Sequence, residues 1–367
     1  MENNQSQARV LAYYLPQFHP IPENDLWWGK GFTEWTNVGK AKPLFPGHYQ
    51  PRVPADLGYY DLRVPETRKA QADMAREYGV EGFVYWHYWF GHGKRLLERP
   101  FNEVLASGEP DFPFALAWAN ETWSGSLHGL VKGKTLIEQT YPGDEDYIAH
   151  FNAVLPAFKD KRYITCDDKP IFLIYKFDKI PDLKHYIELW NKLAVENGLK
   201  GIYFIACGHN MWKKEETDSY QDEMMSYGFD AVTYLAMRKV KPKNFFNLVI
   251  GKVRQDVLKW PNRVKYDSTI FSNDTCKEND NAFPTIVPNW DHTPRSGRYG
   301  LVLTESTPEA FEKCCELAKN KVIGKPYDKR FIFLKSWNEW AEGNYMEPDR
   351  KYGHAYLEVL KRVFLDC

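Results

Sequence analysis

Carboxylate and indole side chains are concentrated in one short stretch near the end of the chain. The stretch follows an apolar run at 331–334 and contains Trp337, Asn338, Glu339, Trp340, Glu342 and Glu347. Carboxylates at the end of a buried strand cost folding energy unless they are paired or used. The combination suits sugar chemistry, because flat aromatic rings hold pyranose rings while paired carboxyl groups move protons at the glycosidic oxygen. The stretch therefore predicts a glycosidase-like site, and the alternative is a capped strand end with solvated acids.

Glu339 and Glu342 are the residues that the spacing favours as catalytic. They follow the predicted strand three positions apart, so a loop or helical turn there directs both carboxyl groups into one pocket. Two neighbouring acids cannot both ionise freely, and one of them stays protonated near neutral pH as a general acid. We expect Asn338 to hydrogen-bond a sugar hydroxyl or a carboxylate, and Trp337 and Trp340 to stack on the substrate.

A second Asn-Glu pair, Asn120 and Glu121, follows the third predicted strand. Glu121 is therefore an alternative acid/base, with Glu339 as the nucleophile. The carboxyl separation decides the stereochemistry, since a retaining acid and nucleophile lie about 5–5.5 Å apart and an inverting pair about 6.5–9.5 Å. The sequence leaves this alternative open.

The elements that must position these residues follow an alternating pattern. Buried-strand signals occur at 10–14, 82–86, 114–118, 170–175, 201–206, 231–235, 283–288 and 331–336. Helical patterns occur at 64–78, 98–107, 144–158, 183–196, 217–227, 308–320 and 353–364. This alternation predicts an α/β fold, a (β/α)8 TIM barrel that forms one catalytic domain over residues 1–367. An open doubly wound sheet is less consistent, because no Gly-rich phosphate-binding turn follows the first strand.

Polar and aromatic residues gather at the predicted strand ends. In a barrel these ends lie on one face, where active sites are built. The candidate substrate-binding residues at these ends are Tyr14, Trp86, His87, Tyr88, Trp118, Asn120, Glu121, Tyr175, Trp290, Asp291, Trp337 and Asn338. His87 and His292 are also candidate acids, bases or ligands, but a histidine at a strand end is more often a hydrogen-bonded wall residue.

Two long insertions interrupt the pattern, at about 16–60 and 238–279. The first, after the first strand, adds Trp28, Glu34 and Trp35 to the candidate substrate-binding residues, since loops of this length are usually functional or lids. The second, before the seventh strand, carries a basic helical pattern with an apolar stripe. We expect that helix to pack on the barrel wall, and the alternative is a patch that contacts a membrane surface or an anionic, lipid-linked glycan.

Composition excludes several other classes of function. Lys plus Arg total 48 against 49 Asp plus Glu, so no global field attracts nucleic acid. The sequence has no HExxH, HxH, GxSxG or Walker A motif, and we expect neither a metal nor another cofactor. The polar N-terminus lacks a signal peptide, no apolar run is long enough to span a membrane, and the cysteines form no disulfide framework. We therefore expect a cytoplasmic protein, with membrane association through the basic insertion as an alternative.

Four motifs resemble those of the WbsX-like family of bacterial O-antigen and capsule gene clusters, whose members are often labelled glycosyltransferases. They are WWGKGFTEW at 27–35, WANETW at 118–123, NWDHTPR at 289–295 and WNEWAEG at 337–343. The resemblance covers nearly the whole chain. The family is in turn distantly similar to the endo-α-mannosidase barrels, where a strand-end Asn-Glu-Trp-x-Glu-Gly carries the two catalytic glutamates.

The resemblance implies roles for individual residues. Glu339 falls where the endo-α-mannosidases have the base that deprotonates the sugar 2-hydroxyl, which then attacks its own anomeric carbon to form a 1,2-anhydro sugar. Glu342 falls where they have the general acid/base. The positions matched to substrate-contacting segments of that family are Trp86, His87, Tyr88, Asn120, Glu121, Tyr175 and Asp291. Departures at the polar positions affect the sugar's identity more than the mechanism.

Three functions are consistent with these features. The first is a retaining glycoside hydrolase or transglycosylase that acts on α-linked, mannose-like residues of a bacterial oligo- or polysaccharide. The second is a glycosyltransferase with a nucleotide- or lipid-linked donor, although no doubly wound nucleotide-binding fold is evident. The third is a carbohydrate-binding protein on an inactive barrel, which would not need two acids three positions apart.

Overall fold

A parallel barrel forms the centre of the computed structural model, which describes residues 6–125, 134–208, 221–235, 256–267 and 281–365. Its strands in these ranges are β1 Arg9–Tyr14, β2 Val80–Trp89, β3 Phe114–Trp118, β4 Lys169–Ile174, β5 Tyr203–Gly208, β6 Ala231–Tyr234, a divided β7 at Ala282–Phe283 and Thr285–Ile286, and β8 Phe331–Leu334. The strands are apolar and almost wholly buried, as expected when a parallel sheet is covered on both faces.

The strands pair in chain order, and the barrel is near-closed. β1 pairs in parallel with both β2 and β8. The first piece of β7 pairs with β6 and the second with β8, so the two pieces bridge the remaining gap. Pro284 separates the pieces and has no N–H to donate to a ladder. The predicted (β/α)8 fold is confirmed.

Helices flank the barrel and occupy its first insertion. Those in the described ranges are α1 Pro22–Trp28, α2 Glu34–Lys40, α3 Pro65–Glu77, α4 Arg99–Ser107, α5 Asp144–Phe158, α6 Leu183–Glu196, α7 Thr293–Ser296, α8 Pro308–Val322 and α9 Ala355–Phe364. A further helical stretch lies at 221–226. The predicted bounds of α5 and α6 agree with the structure residue by residue. None of the described helices is long and apolar enough to cross a membrane.

The first insertion is ordered by contacts with the ends of β7 and β8. It contains α1 and α2, and Trp35 on α2 packs against Trp340, with ring centroids 5.4 Å apart. Further along, the side chains of His48 and Gln50 both bond Asp291. The insertion is therefore part of the wall around the carboxyl ends of the strands.

The second insertion lies largely outside the described residues. Its described part, 256–267, contains a short strand at Asn262–Lys265 that pairs in parallel with Leu301–Thr304. The predicted basic helix at 245–260 falls mostly outside, so its packing and any membrane contact stay predictions.

Candidate active site

A cavity of about 200 Å³ opens at the carboxyl ends of the barrel strands. It is lined by Leu15, Gln17, Trp28, Trp86, Tyr88, Ala119, Glu121, Trp123, Ser124, Leu136, Tyr175, Arg295, Lys335, Glu339 and Glu342. The wall therefore combines indole and phenol rings with three carboxyl groups and two cations. Both glutamates predicted to be catalytic face this space.

A small hairpin after β8 carries both glutamates. Asn338–Glu339 pairs in antiparallel register with Asn344–Tyr345, and a single 3-10 turn at Trp340–Glu342 connects the two. The Asn338 side chain fixes the hairpin to the end of β1, since it accepts from the Leu15 N–H at 2.7 Å and donates to the Leu15 carbonyl at 3.1 Å. The tight turn brings the two carboxyl groups to one side, as their spacing predicts.

Gly343 ends the turn in the left-handed region, with φ at +71°. A Cβ at this position would lie 2.8 Å from the Asp291 backbone nitrogen and 2.9 Å from its Cβ. The Asp291 N–H donates to the Glu342 carbonyl at 2.7 Å. Glycine is therefore required both by the backbone conformation and by the close approach of the segment that holds Glu342.

Two hydrogen bonds hold the Glu339 carboxyl group. Trp86 Nε1 donates to one oxygen at 2.8 Å, and Asn344 Nδ2 donates to the other at 3.0 Å. The Trp86 ring is itself fixed between Tyr13, stacked at 4.9 Å, and Tyr175, edge-on at 5.5 Å. Glu339 is thus buried and oriented before any ligand arrives.

An arginine on α7 holds the Glu342 carboxyl group. Arg295 Nη1 donates to Glu342 Oε1, while Arg295 Nη2 lies 3.1 Å from Glu34 Oε2. His292 Nε2 also lies 3.8 Å from Glu342 Oε1. One guanidinium therefore bridges the cavity carboxyl of Glu342 and the fully buried carboxyl of Glu34.

The two cavity carboxyl groups have opposite electrostatics. Burial, together with the negative charge of Glu342, raises the pKa of Glu339. Burial also acts to raise the pKa of Glu342, but Arg295, His292 and Lys335 outweigh it and hold that pKa well below its usual range, at about 2. When the pair holds a single proton in the ligand-free protein, that proton therefore resides on Glu339.

The structure divides the predicted substrate-binding residues into two sets. Those that line the cavity are Trp28, Trp86, Tyr88, Glu121 and Tyr175. Those that do not line it are Tyr14, Glu34, Trp35, His87, Trp118, Asn120, Trp290, Asp291, Trp337 and Asn338. Most of the second set are buried behind the wall and bonded to other protein groups.

Tyr14, His87 and Asp291 show why buried strand-end residues do not reach the cavity. The Tyr14 hydroxyl donates to Gln71, and His87 Nε2 lies 2.8 Å from His150 Nε2. Burial lowers the pKa of His87 to about 3, so this histidine is neutral in a packed layer. Asp291 accepts from His48 and Gln50 through one oxygen.

Glu34, Trp118 and Asn120 likewise serve the scaffold. Glu34 is paired with Arg295. The Trp118 indole donates to the Trp89 carbonyl at 2.9 Å, and the Asn120 side chain accepts from the Lys176 N–H at 2.7 Å. These side chains satisfy the backbone at strand ends and hold the lining residues in position.

Trp35, Trp290, Trp337 and Asn338 also lie behind or beside the wall. Trp35 Nε1 donates to the Tyr60 carbonyl at 2.8 Å, and Trp337 is fully buried in the core. Asn338 holds the hairpin, as described above. Trp290 is partly buried, with its ring 4.8 Å from the Lys335 ammonium.

Several cavity residues were not among the predicted set. They include Gln17, Trp123, Arg295 and Lys335. Trp123 and Arg295 fall within two of the family-like motifs, and Lys335 lies within the predicted eighth strand, just before a third motif. Their position in or beside a motif is the sequence feature that could have identified them. The bridging contact of Arg295 depends on how α7 folds over the hairpin, which spacing alone does not reveal.

Metal-binding geometry in the described ranges occurs at one place, away from the cavity. Cys166, Asp167 and Asp328 lie near the amino-terminal end of the barrel, beside Arg9 at the start of β1. Among the described residues the cavity itself contains no such group.

A (β/α)8 barrel with a carboxyl pair in an aromatic-walled cavity at its strand ends is an architecture of carbohydrate-active enzymes. Comparison with known proteins places the chain more closely. It belongs to the glycosyltransferase WbsX family, whose model matches residues 10–360. The resemblance carried by the four motifs is confirmed.

Relatives extend over nearly the whole chain. The uncharacterized protein WxcX from two strains of Xanthomonas campestris pv. campestris is 35% and 34% identical over 369 residues. The match covers 97% of this chain but 49% of each relative, so the chain spans about half the length of these curated relatives.

Solved structures show the same fold at low identity. A glycoside hydrolase-like protein aligns with a TM-score of 0.61 and 16% identity, covering 100% of this chain and 96% of its own. The GH99 endo-α-mannosidase from Bacteroides thetaiotaomicron aligns with a TM-score of 0.56 and 14% identity, covering 97% and 95%. These likenesses support the barrel and by themselves assign no substrate.

Proposed function

We propose that this chain is a retaining glycoside hydrolase or transglycosylase that acts on α-linked, mannose-like residues of a bacterial surface polysaccharide. The observation that carries the proposal is the pair Glu339 and Glu342, held on one hairpin turn inside an aromatic-walled cavity with their pKa values shifted in opposite directions. Titratable pairs whose environments separate their pKa values are typical of acid/base catalysis.

The first step forms a 1,2-anhydro sugar. The Glu339 carboxylate accepts the proton of the sugar 2-hydroxyl, and that oxygen attacks the anomeric carbon as the glycosidic bond breaks. Glu342 donates its proton to the departing oxygen. One bond to the anomeric carbon forms as another breaks. At the end of this step Glu339 is protonated and Glu342 is ionised.

The second step restores both glutamates. Glu342 takes a proton from water or from an acceptor sugar hydroxyl, whose oxygen attacks the anomeric carbon and opens the anhydro ring. Protonated Glu339 returns its proton to the 2-oxygen. Two displacements at one carbon give net retention of configuration.

The reactive form of the pair carries its shared proton on Glu342. In the ligand-free protein the charges favour the opposite arrangement, because Arg295 stabilises ionised Glu342. Moving the proton from Glu339 to Glu342 creates the base and the acid together. The bridge from Arg295 to Glu34 gives the guanidinium a second anion when Glu342 is neutral.

Glu121 is the second candidate for the acid/base. It lines the same cavity, but its side chain is 46% exposed and lies 4.0 Å from the Lys176 ammonium. The Glu342 side chain is less exposed, at 14%, and lies on the same hairpin turn that follows Glu339. Glu342 is therefore preferred, and contact with substrate is proposed for Glu121.

A glycosyltransferase is the second candidate function. The family name favours it, as do Arg295 and Lys335 in the cavity wall, since a nucleotide- or lipid-linked donor carries phosphates. Titration with nucleotide sugars distinguishes the two functions, because saturable binding supports a transferase and its absence supports a hydrolase.

The proposed function is tested with a panel of O-antigen and capsule polysaccharides. Released sugars are followed by proton NMR from the first minutes, before mutarotation. We expect cleavage of an α-linked glycan with the α anomer appearing first. First appearance of the β anomer would contradict retention, and an unchanged panel would contradict hydrolysis.

A further inference from the structure

We propose that the cavity binds a sugar bearing an anionic oxyacid group, either a carboxylate or a phosphate ester, and that Lys335 binds that group. This inference rests on the proposed function, because it names the substrate class of the same site.

Lys335 directly follows β8 and is 8% exposed, yet it lines the cavity. Its ammonium lies 4.8 Å from the centroid of the Trp290 ring. In the part of the chain that the structure describes, its ammonium contacts this ring and forms no ion pair with a carboxylate. A lysine ammonium has three N–H donors, so a buried one at a cavity wall calls for acceptors.

The other cation in the cavity wall, and a lysine beside the cavity, have carboxylate partners. Arg295 bridges Glu34 and Glu342. Lys176 lies 4.0 Å from Glu121 and 4.8 Å from the Tyr175 ring. Lys335 differs from both, since its nearest described partner is a neutral indole.

The charges around Lys335 favour an anion over a neutral hydroxyl. Arg295 pairs directly with both Glu34 and Glu342, so this guanidinium, and not Lys335, is the cation in contact with these carboxylates. The positive charge of Lys335 acts to lower the pKa of both Glu339 and Glu342, but among the described residues its ammonium forms no ion pair with either carboxyl group. A buried ammonium that lacks hydrogen-bond acceptors destabilises the folded protein, and an oxyacid offers both a countercharge and several acceptor oxygens.

The two sources of such a group predict different chemistry. A carboxylate would belong to an acidic sugar at the cleavage point, next to the carboxyl pair. A phosphate ester would belong to the leaving group of an activated donor. In either case the anion would lie close to Lys335, whose positive charge acts to lower the pKa of both Glu339 and Glu342.

Binding is measured in the Glu339→Gln protein, in which turnover is blocked. This background is chosen because Gln mimics protonated Glu339 and leaves the bridge from Arg295 to Glu342 intact. The probes are mannose, mannuronic acid and mannose 1-phosphate, titrated by ligand-observed NMR at low and high salt. We expect at least one anionic probe to bind about tenfold more tightly than mannose, as a charge-assisted hydrogen bond provides.

Substitutions at Lys335 assign the preference. Lys335→Met and Lys335→Gln should each remove it, while Lys335→Arg retains it. Lys69→Met, which removes one charge from an exposed position on α3, is the matched control and should change nothing. Thermal melts compare the variants, and if Lys335→Met does not fold, Lys335→Gln provides the test.

The outcomes distinguish a carboxylate from a phosphate ester, and they distinguish failure of this inference from failure of the proposed function. Preference for mannuronic acid supports the carboxylate, and preference for mannose 1-phosphate supports the phosphate ester. Equal affinities for all three probes, including no measurable binding of any, would overturn the inference, as would a preference that survives in both neutral variants. Because binding is read without turnover, this failure is distinct from failure of the proposed function, which appears as uncleaved polysaccharide.

Discussion

At the scale of single residues, the protonation of Glu342 is governed by one guanidinium. Arg295 contacts both Glu342 and Glu34, and it is the strongest of the cations that hold the pKa of Glu342 low. We therefore expect Arg295 to act as a positioning residue. It should set the acidic edge of activity, which is the pH below which kcat/KM falls.

Replacing Arg295 by Gln should move that edge. The kcat/KM profile falls on the acidic side where both carboxyls become protonated, which occurs at the lower pKa of the pair. Because the pKa of Glu342 is about 2, the wild-type kcat/KM profile should stay flat into strongly acidic pH. Loss of the guanidinium raises the pKa of Glu342, so the acidic limb should move up into the mildly acidic range.

Arg295→Lys provides the matched control for this shift. It keeps the positive charge beside Glu342 while losing the two-pronged bridge to Glu34. We expect its acidic limb to lie between those of the wild type and Arg295→Gln. Identical pH profiles for the wild type and Arg295→Gln would show that another group controls the acidic limb.

At the scale of elements, the hairpin after β8 depends on the segment 289–297 that packs against it. The Asp291 N–H bonds the Glu342 carbonyl, while the Asp291 carboxylate joins His48 and Gln50 of the first insertion. Three separate parts of the chain thus meet behind the turn that carries Glu342. A Cβ added at Gly343 would meet Asp291 and would also lie 3.2 Å from the Arg52 guanidinium carbon, so all three parts constrain this position.

Gly343→Ala should impair both stability and turnover. The new Cβ meets backbone and side-chain atoms of Asp291 at 2.8–2.9 Å, so the hairpin or its neighbour must shift. We expect a loss of at least about 1 kcal/mol in unfolding free energy and a fall in kcat from misplacement of Glu342.

Gly58→Ala is the control, because Gly58 has φ at +60° and nothing within 4 Å of its Cβ position. It should show the strain of the left-handed backbone without the loss of turnover. Equal kcat in Gly343→Ala and Gly58→Ala would show that close packing behind the turn does not position Glu342.

The strands and turns could be predicted well from the sequence, but the side-chain contacts between distant elements could not. β8 and the turn after it were predictable because an apolar run ends abruptly in charged residues. The contacts of Asp291 were not, because His48 and Gln50 lie more than 240 positions away along the chain. The sequence therefore predicts Asp291 as a substrate contact, whereas in the structure its carboxylate joins the first insertion to the segment 289–297.

At the scale of the whole molecule, buried carboxyl groups make folding stability depend on pH. Glu347 accepts hydrogen bonds from Gln71, Trp340 and Tyr60, and burial raises its pKa to about 7. A raised pKa means that protonated Glu347 favours the folded state. Its contribution is fully present below the ordinary glutamate range and is lost as pH rises through about 7.

Glu347→Gln should reduce this dependence. Between pH 5 and pH 8 the wild-type unfolding free energy should fall, with up to about 3 kcal/mol attributable to Glu347. Urea unfolding at both pH values measures the difference, and the variant should show a shallower fall. Glu309→Gln, at an exposed helix start, is the control. An unchanged fall in Glu347→Gln would mean that this carboxyl does not titrate in the folded protein.

The barrel was predictable because its strands are apolar on both faces and recur at regular intervals, which leaves few ways to bury them. The cavity wall was predictable where aromatics follow those strands, as at Trp86 and Tyr175. Arg295 and Lys335 were not predicted, since their roles come from charges that meet across the barrel mouth. The fold could be predicted because it depends on local sequence patterns. The electrostatics of the cavity could not, because they depend on residues that are distant along the chain.

The central claim is that Glu339 and Glu342 together perform the chemistry. Its most direct test is turnover of the best glycan in Glu339→Gln and Glu342→Gln, with binding of the same glycan and thermal melts measured in parallel. The account predicts that each variant loses turnover by about 10²- to 10⁴-fold while binding and folding persist. Wild-type turnover in either variant would contradict it.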